Sequence, residues 1–242
     1  MNMTNEEDII KEMMKAGLHF GHKQTFNHPK AGYFIVKSYE AIAGIDLKET
    51  LKALQSALDF IKEIVKQEGK ILFVGTTAGA KQLVKELAQK YNYPYVDERW
   101  LGGTLTNFKT LALRIKTLKE LEEQKKSDAW DKYTKKERIQ FQKELDQLQK
   151  KFAGIRTLDK LPNAIFIIDT GLNKIAVKEA KLLNIPIIGV LDTDDDPTII
   201  DYPIPANDSA KSSIKYILSK VEEAINEGMK NAAVLEPNKK ES

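Results

Sequence analysis

The chain contains no cysteine, which excludes disulfides, thiolate metal sites and cysteine nucleophiles together. No apolar run approaches the roughly 20 residues that span a bilayer. The N-terminal stretch MNMTNEEDIIKEMM is acidic and lacks an apolar core, so it does not read as a signal peptide. These absences lead us to expect a soluble, cytoplasmic protein with no membrane partner. Nucleotide-binding signatures are missing too. Gly75-Thr76-Thr77-Ala78-Gly79-Ala80-Lys81 resembles a phosphate loop, but its second glycine comes one residue early and Gln82 follows the lysine. There is no G-x-G-x-x-G, and no grouping of nucleophile, base and oxyanion donor emerges, so nucleotide hydrolysis gains no support.

What is present is a well-mixed globular composition, 42% apolar and 30% charged over 242 residues, enough for one large or two small domains. The net charge is only +3, but it is unevenly spread. From Lys109 to Lys160 there are 15 Lys and Arg against 9 Asp and Glu, while the remainder is mildly acidic. A basic segment on an acidic body suits a polyanion engaged through part of the surface.

The apolar pattern predicts an α/β body. Lys70–Gly75 (KILFVG), Asn163–Asp169 (NAIFIID) and Ile185–Asp192 (IPIIGVLD) are apolar without alternation, as in parallel strands covered on both faces. Shorter strands are expected at Tyr33–Val36, Ala43–Leu47, Pro94–Asp97 and Tyr202–Pro205. Helices are expected at Asn5–Ala16, Lys48–Lys66, Lys81–Lys90, Ile175–Leu183 and Ala210–Glu227. Strands alternating with helices give a doubly wound parallel sheet, whose ligands gather at the carboxyl ends of the strands. An excursion interrupts this body. Its first helix carries Leu111, Ile115, Leu118 and Leu121, and its second carries Phe141, Leu145, Leu148, Phe152 and Ile155 at coiled-coil spacing. The two should fold back as an antiparallel hairpin, with the lysine-rich segment 125–136 at its tip.

Three stretches carry chemistry. Arg99-Trp100-Leu101-Gly102-Gly103-Thr104-Leu105-Thr106-Asn107-Phe108-Lys109-Thr110 joins body to excursion. It offers charge, stacking surface and hydrogen bonds, with Thr104 or Thr106 able to cap a helix. Residues 18–30, read as a loop, hold all three histidines interleaved with Phe20, Lys23 and Phe26. This mixture suits base stacking and phosphate contact better than a metal site, since no zinc spacing is present. Acids stand at two strand ends, Asp169 and Asp192-Thr193-Asp194-Asp195-Asp196. They could hold Mg²⁺ through oxygen ligands, but a solvated aspartate turn is the favoured reading. His19, His22, Asp192 and Asp196 are the weak metal alternatives.

In order along the chain, AGLHFGH (16–22), KILFVGT (70–76), RWLGGTLTNFKT (99–110), TKKE (134–137), LPNAIFIID (161–169), IAVKEA (175–180), NIPIIGVLDT (184–193) and IPAND (204–208) resemble the family of bacterial small-subunit ribosomal protein number two. The resemblance implies a flavodoxin-like, three-layer α/β/α domain with a protruding antiparallel coiled-coil helical hairpin. The body would be 1–106 and 157–228, the hairpin insertion 107–156, and a flexible tail 229–242. It implies a structural, non-enzymatic constituent of the small ribosomal subunit that needs no cofactor. Its partners would be small-subunit ribosomal RNA near the head–body junction, neighbouring ribosomal proteins and the large mRNA-binding ribosomal protein. It would not act as a homo-oligomer. The RNA-binding residues expected are His19, His22, Lys23, Phe26, Arg99, Trp100, Thr104, Asn107, Lys109, Lys132, Lys135 and Lys136. Where the family carries an Arg-rich or Trp-bearing segment after FGH, this chain has Thr25-Phe26-Asn27-His28, so stacking passes to Phe26.

Two other classes compete. A flavodoxin-like small-ligand or metal-dependent enzyme would use the strand-end aspartates Asp169 and Asp192. A coiled-coil interaction module would have a protein partner only.

Overall fold

The computed structural model describes residues 3–36, 41–127 and 133–235. Its centre is a parallel sheet of β4 (Ile71–Gly75), β5 (Tyr95–Val96), β6 (Ala164–Ile168), β7 (Ile187–Leu191) and β8 (Tyr202–Pro205). The spatial order is β5-β4-β6-β7-β8, and every neighbouring pair is parallel. Renumbered from the first of these strands the order is 2-1-3-4-5, the flavodoxin-like arrangement. Its switch point lies between β4 and β6.

Side chains of successive strand residues point to opposite faces, and here both faces are covered. Ile71, Phe73, Phe166, Ile188 and Val190 enter one core beneath α1 (Met3–Ala16), α2 (Leu47–Lys66), α3 (Lys81–Lys90) and α7 (Lys211–Leu235). Leu72, Val74, Ile165, Ile167 and Ile187 enter the other, with α6 (Lys174–Leu182) and the bases of α4 (Phe108–Lys126) and α5 (Lys135–Phe152). This two-sided burial is why the central strands read as unbroken apolar runs. At roughly 1.5–3 kcal/mol for each large apolar side chain fully buried, the two cores carry most of the fold's stabilisation.

α4 and α5 pack on one another through the expected stripe: Leu111, Ile115, Leu118, Leu145 and Phe152 are buried. Glu122 fixes their relation by accepting bonds from Gln149 Nε2 at 2.9 Å and Arg156 Nη2 at 2.7 Å. α5 begins with a capping box, in which Thr134 and Glu137 satisfy each other's backbone donors. Ile155, expected to continue the α5 seam, lies instead in a short 3₁₀ turn. α7 continues to Leu235, past the helix end expected at Glu227, because the sequence from 229 to 235 contains no helix breaker.

The largest local departure from expectation lies at residues 18–30. They are not one loop: Phe20–Lys23 forms β1, which pairs antiparallel with β3 (Ile42–Ile45), and β3 pairs with β2 (Ile35–Val36). A short polar strand has no periodic apolar signal, so only its partner reveals it.

Candidate nucleic-acid interface

The junction at 99–110 is built around one carboxylate that sequence reading passed over. Glu179 lies on the α6 face that packs inward with Ala176 and Ala180, and is only 6% exposed. Its Oε1 accepts from Trp100 Nε1 at 3.1 Å and from Gly103 N at 2.7 Å. Its Oε2 accepts from Leu105 N at 2.9 Å and from Thr106 N and Oγ1, each at 3.1 Å. Burial alone would push the carboxyl up, but these donors together hold it below the ordinary glutamate range. A glutamate in an otherwise apolar helical phase was the signal available in IAVKEA. Nothing in the sequence showed which donors it would collect.

This arrangement sorts the junction residues by availability. Trp100, expected to offer a stacking face, is 5% exposed with its indole N–H committed to Glu179, so its ring serves the core. Thr104 is also buried, and its Oγ1 donates to Leu101 O at 2.6 Å. Neither Thr104 nor Thr106 caps α4. Asn107 occupies the N-cap position, but its side chain makes no capping bond; Oδ1 accepts instead from Thr110 Oγ1 at 2.7 Å. Arg99, Asn107 and Lys109 are exposed. Gly103 sits at φ +88°, whereas a Cβ on Gly102 would meet nothing within 4 Å. Gly103→Ala should therefore destabilise by about 1 kcal/mol or more, while Gly102→Ala should change stability by less than about 0.5 kcal/mol. Equilibrium denaturation of the two variants checks the contrast, and equal effects would contradict it.

A second set of expected residues lies along β1. Phe26 is 64% exposed in the turn after the strand, and Lys23 is exposed beside it. His19 is half-buried against the Phe20 ring, with centroids 4.0 Å apart, and burial lowers its pKa. His22 Nδ1 approaches Asp192 Oδ2 at 2.9 Å and Asp194 Oδ1 at 3.4 Å, contacts of ion-pair length without good hydrogen-bond direction. The backbone ties this segment to the end of β7: His22 N donates to Thr193 Oγ1 at 3.1 Å and His28 N to Thr193 O at 2.7 Å. The fold thus joins histidines and acids about 170 residues apart in sequence.

Both sets lie at the carboxyl edge of the sheet, one after β5 and the other beside β7. Strand spacing separates them by roughly 14 Å. Between them, at the switch point, a cleft of about 470 Å³ opens beside Thr76, Lys81, Arg99 and Asn173. Lys81 is paired with Glu98 at 3.1 Å, and Thr76 Oγ1 bonds Asn173 Oδ1 at 3.1 Å. Among the described residues Arg99 has no carboxylate partner, and the same holds for Lys23, Lys109, Lys135 and Lys136. Lys135 and Lys136 are exposed in the first turn of α5; Lys132 lies outside the described residues.

The acids divide differently from expectation. Asp196 belongs to an ion pair with Lys30 at 2.8 Å, which holds it far below the usual carboxylate range. Among the described residues His19 joins no group of potential ligands. Two groups do form: His22 with Asp192 and Asp194, and Asp169 with Asp195 and Asp208. Asp208, in the IPAND segment, had not been singled out for chemistry.

The family model described as Ribosomal protein S2 matches residues 13–228. The chain is 42% identical over 233 residues to the small ribosomal subunit protein uS2 of Fusobacterium nucleatum subsp. nucleatum, with 96% of this chain and 94% of that relative covered.

Proposed function

The chain belongs to the ribosomal protein S2 family, and from that premise we propose how it engages the small subunit. Its role is structural, in translation, and it is not an enzyme. We propose that it binds small-subunit ribosomal RNA with two surfaces of the carboxyl edge and with the arm. Arg99, Asn107 and Lys109 at the junction, and Lys23 with the exposed Phe26 on the β1 side, would form a shape-specific site. Lys135 and Lys136 on the arm would neutralise phosphates and fix register. The observation that carries this reading is that Lys23, Arg99, Lys109, Lys135 and Lys136 are exposed with no carboxylate partner among the described residues, the last three in the segment where Lys and Arg outnumber Asp and Glu by 15 to 9. The buried Trp100 and Thr104 would shape the site from beneath.

We read residues 107–156 as a coiled-coil arm inserted into a body formed by 1–106 and 157–228. The exposed Leu113 and Ile139 on this arm suit contact with a neighbouring ribosomal protein, including the large mRNA-binding one. The small-ligand reading draws on the switch-point cleft, where Lys81 is neutralised by Glu98 and Arg99 has no carboxylate partner among the described residues.

Sedimentation of a cell lysate through sucrose at low and high salt tests the proposal. The protein should travel with small subunits and polysomes and loosen as salt rises. Remaining at the top of the gradient under both conditions would overturn the assembly. The arm is tested separately by the Lys135→Ala, Lys136→Ala double variant. Each phosphate contact contributes about −0.7 to −0.9 to the log–log salt slope, so the slope for ribosomal RNA should become shallower by about 1.5 and affinity should fall. Unchanged slope and affinity would remove the arm from the RNA interface.

A further inference from the structure

The switch-point cleft of about 470 Å³ opens because α3 leaves β4 toward one face of the sheet and α6 leaves β6 toward the other. A crevice at this place is where the fold type holds ligands, and its volume falls in the roughly 300–1,000 Å³ range of small-ligand pockets. Two of its walls are apolar side chains left outside either core. Leu172 is 61% exposed and Ile175 47%.

The polar groups divide into saturated and available ones. The buried Asn173 donates through Nδ2 to Ile168 O and Asp169 O and accepts through Oδ1 from Thr76 Oγ1, so it sets the shape of the cleft. Lys81 Nζ donates to Glu98 Oε2 at 3.1 Å. Glu98 Oε1 is left with no donor among the described residues, and the ammonium keeps further N–H groups. Arg99 is exposed in the cleft, and Lys174 is exposed at the start of α6. Neither has a carboxylate partner among the described residues.

We propose that this cleft receives one unpaired guanine nucleotide of an RNA strand. The inference rests on the RNA-binding reading above and names what that part of the edge recognises. A base lying on Leu172 and Ile175 covers apolar surface that water otherwise meets. Guanine carries an acceptor, O6, beside two donor groups, N1–H and the N2 amino group, on its Watson–Crick edge. An ammonium next to a carboxylate with a free oxygen is the complement of that edge. Every other RNA base offers a single donor group there. Arg99 and Lys174 take the phosphates on either side. A free guanine nucleotide shares this chemistry, but the loop after β4 lacks phosphate-loop spacing and so provides no such cradle for terminal phosphates. An RNA strand is therefore the favoured source.

The test uses the full-length chain and fluorescein-labelled hexaribonucleotides, read by polarisation. A uridine run with one central guanosine should bind about tenfold more tightly than uridine alone. Inosine in that place, which lacks the N2 amino group, should fall between them. Glu98→Gln should erase the guanosine preference, and Ile175→Glu should weaken binding of the guanosine hexamer several-fold. Both replace exposed side chains, so the variants should melt close to the parent. Equal affinity for the two hexamers would overturn the proposal, as would a preference that survives Glu98→Gln. If 5′-GMP displaced the labelled guanosine hexamer as well as the unlabelled hexamer does, the cleft would be a free-nucleotide site and the RNA assignment would fall. Failure here is separable from failure of the reading beneath it. A chain that binds ribosomal RNA with the arm-dependent salt slope but shows no guanosine preference loses the cleft alone, whereas a chain that binds no ribosomal RNA loses both.

Discussion

Glu179→Ala should lower stability by about 3–5 kcal/mol, the usual cost of removing one partner from a buried charged network. For a chain of this size that corresponds to a fall in melting temperature on the order of 10 °C. The reason is the number of donors left behind. The Trp100 indole, the amides of Gly103, Leu105 and Thr106, and the Thr106 hydroxyl all converge on the two oxygens of Glu179. Alanine would strand them, and the junction would no longer have one conformation. Glu179→Gln keeps the shape but replaces one acceptor oxygen with a donor, so it should fall between parent and alanine. If the RNA interface proposed above is right, ribosomal RNA affinity should fall with the junction even though Glu179 itself is buried.

The sign with pH follows from the lowered pKa. The unfolded glutamate titrates near 4.5 and the folded one below it. Its contribution is full above the unfolded value and is lost as pH falls through the folded one. Acid melting curves of parent and Glu179→Gln should therefore converge as pH drops below about 4.5. A constant gap down to low pH would show that charge is not what holds the junction.

Gly154→Val should be comparably severe, at about 3 kcal/mol or more, since overpacking against rigid backbone exceeds the ordinary 1–3 kcal/mol range. Gly154 lies in the turn that returns from α5 to the body. A Cβ there would collide with the Tyr95 carbonyl oxygen and would come within 2.9 Å of the Tyr95 ring. Tyr95 belongs to β5, at the edge of the sheet. The turn could relieve the clash only by lifting the arm base away, exposing Phe152 and Ile155, both of which are buried. Denaturation should show the loss of stability, and limited proteolysis should cut the arm faster than in the parent. Wild-type stability and cleavage in Gly154→Val would mean that the base of the arm does not rest on β5.

These consequences differ in how far they could be read from residues alone. β4, β6 and β7 were legible because burial on both faces leaves an unbroken apolar run in the chain itself. α3 was found with the same limits, Lys81–Lys90, because its apolar period and the turn before it are local. The stripe of α4 and α5 was visible for the same reason, and so was the cationic bias of the arm. β1 was missed because an antiparallel strand of four polar and aromatic residues is defined by its partner. Trp100 was read as a stacking surface because composition reports what a side chain could do, not whether it is covered.

By itself, then, the sequence determined the α/β class, the helices α4 and α5, the uneven charge and the motifs that place the chain in its family. All of these depend on neighbours within about twenty residues, where periodicity and backbone preference act. Only the tertiary structure decided the 2-1-3-4-5 strand order, the five donors gathered on Glu179, the burial of Trp100, the contact of His22 with Asp192, and the meeting of Asp208 with Asp169 and Asp195. Each joins segments tens to nearly two hundred residues apart. The energy of such a contact depends on desolvation and geometry, which exist only once the chain has closed on itself.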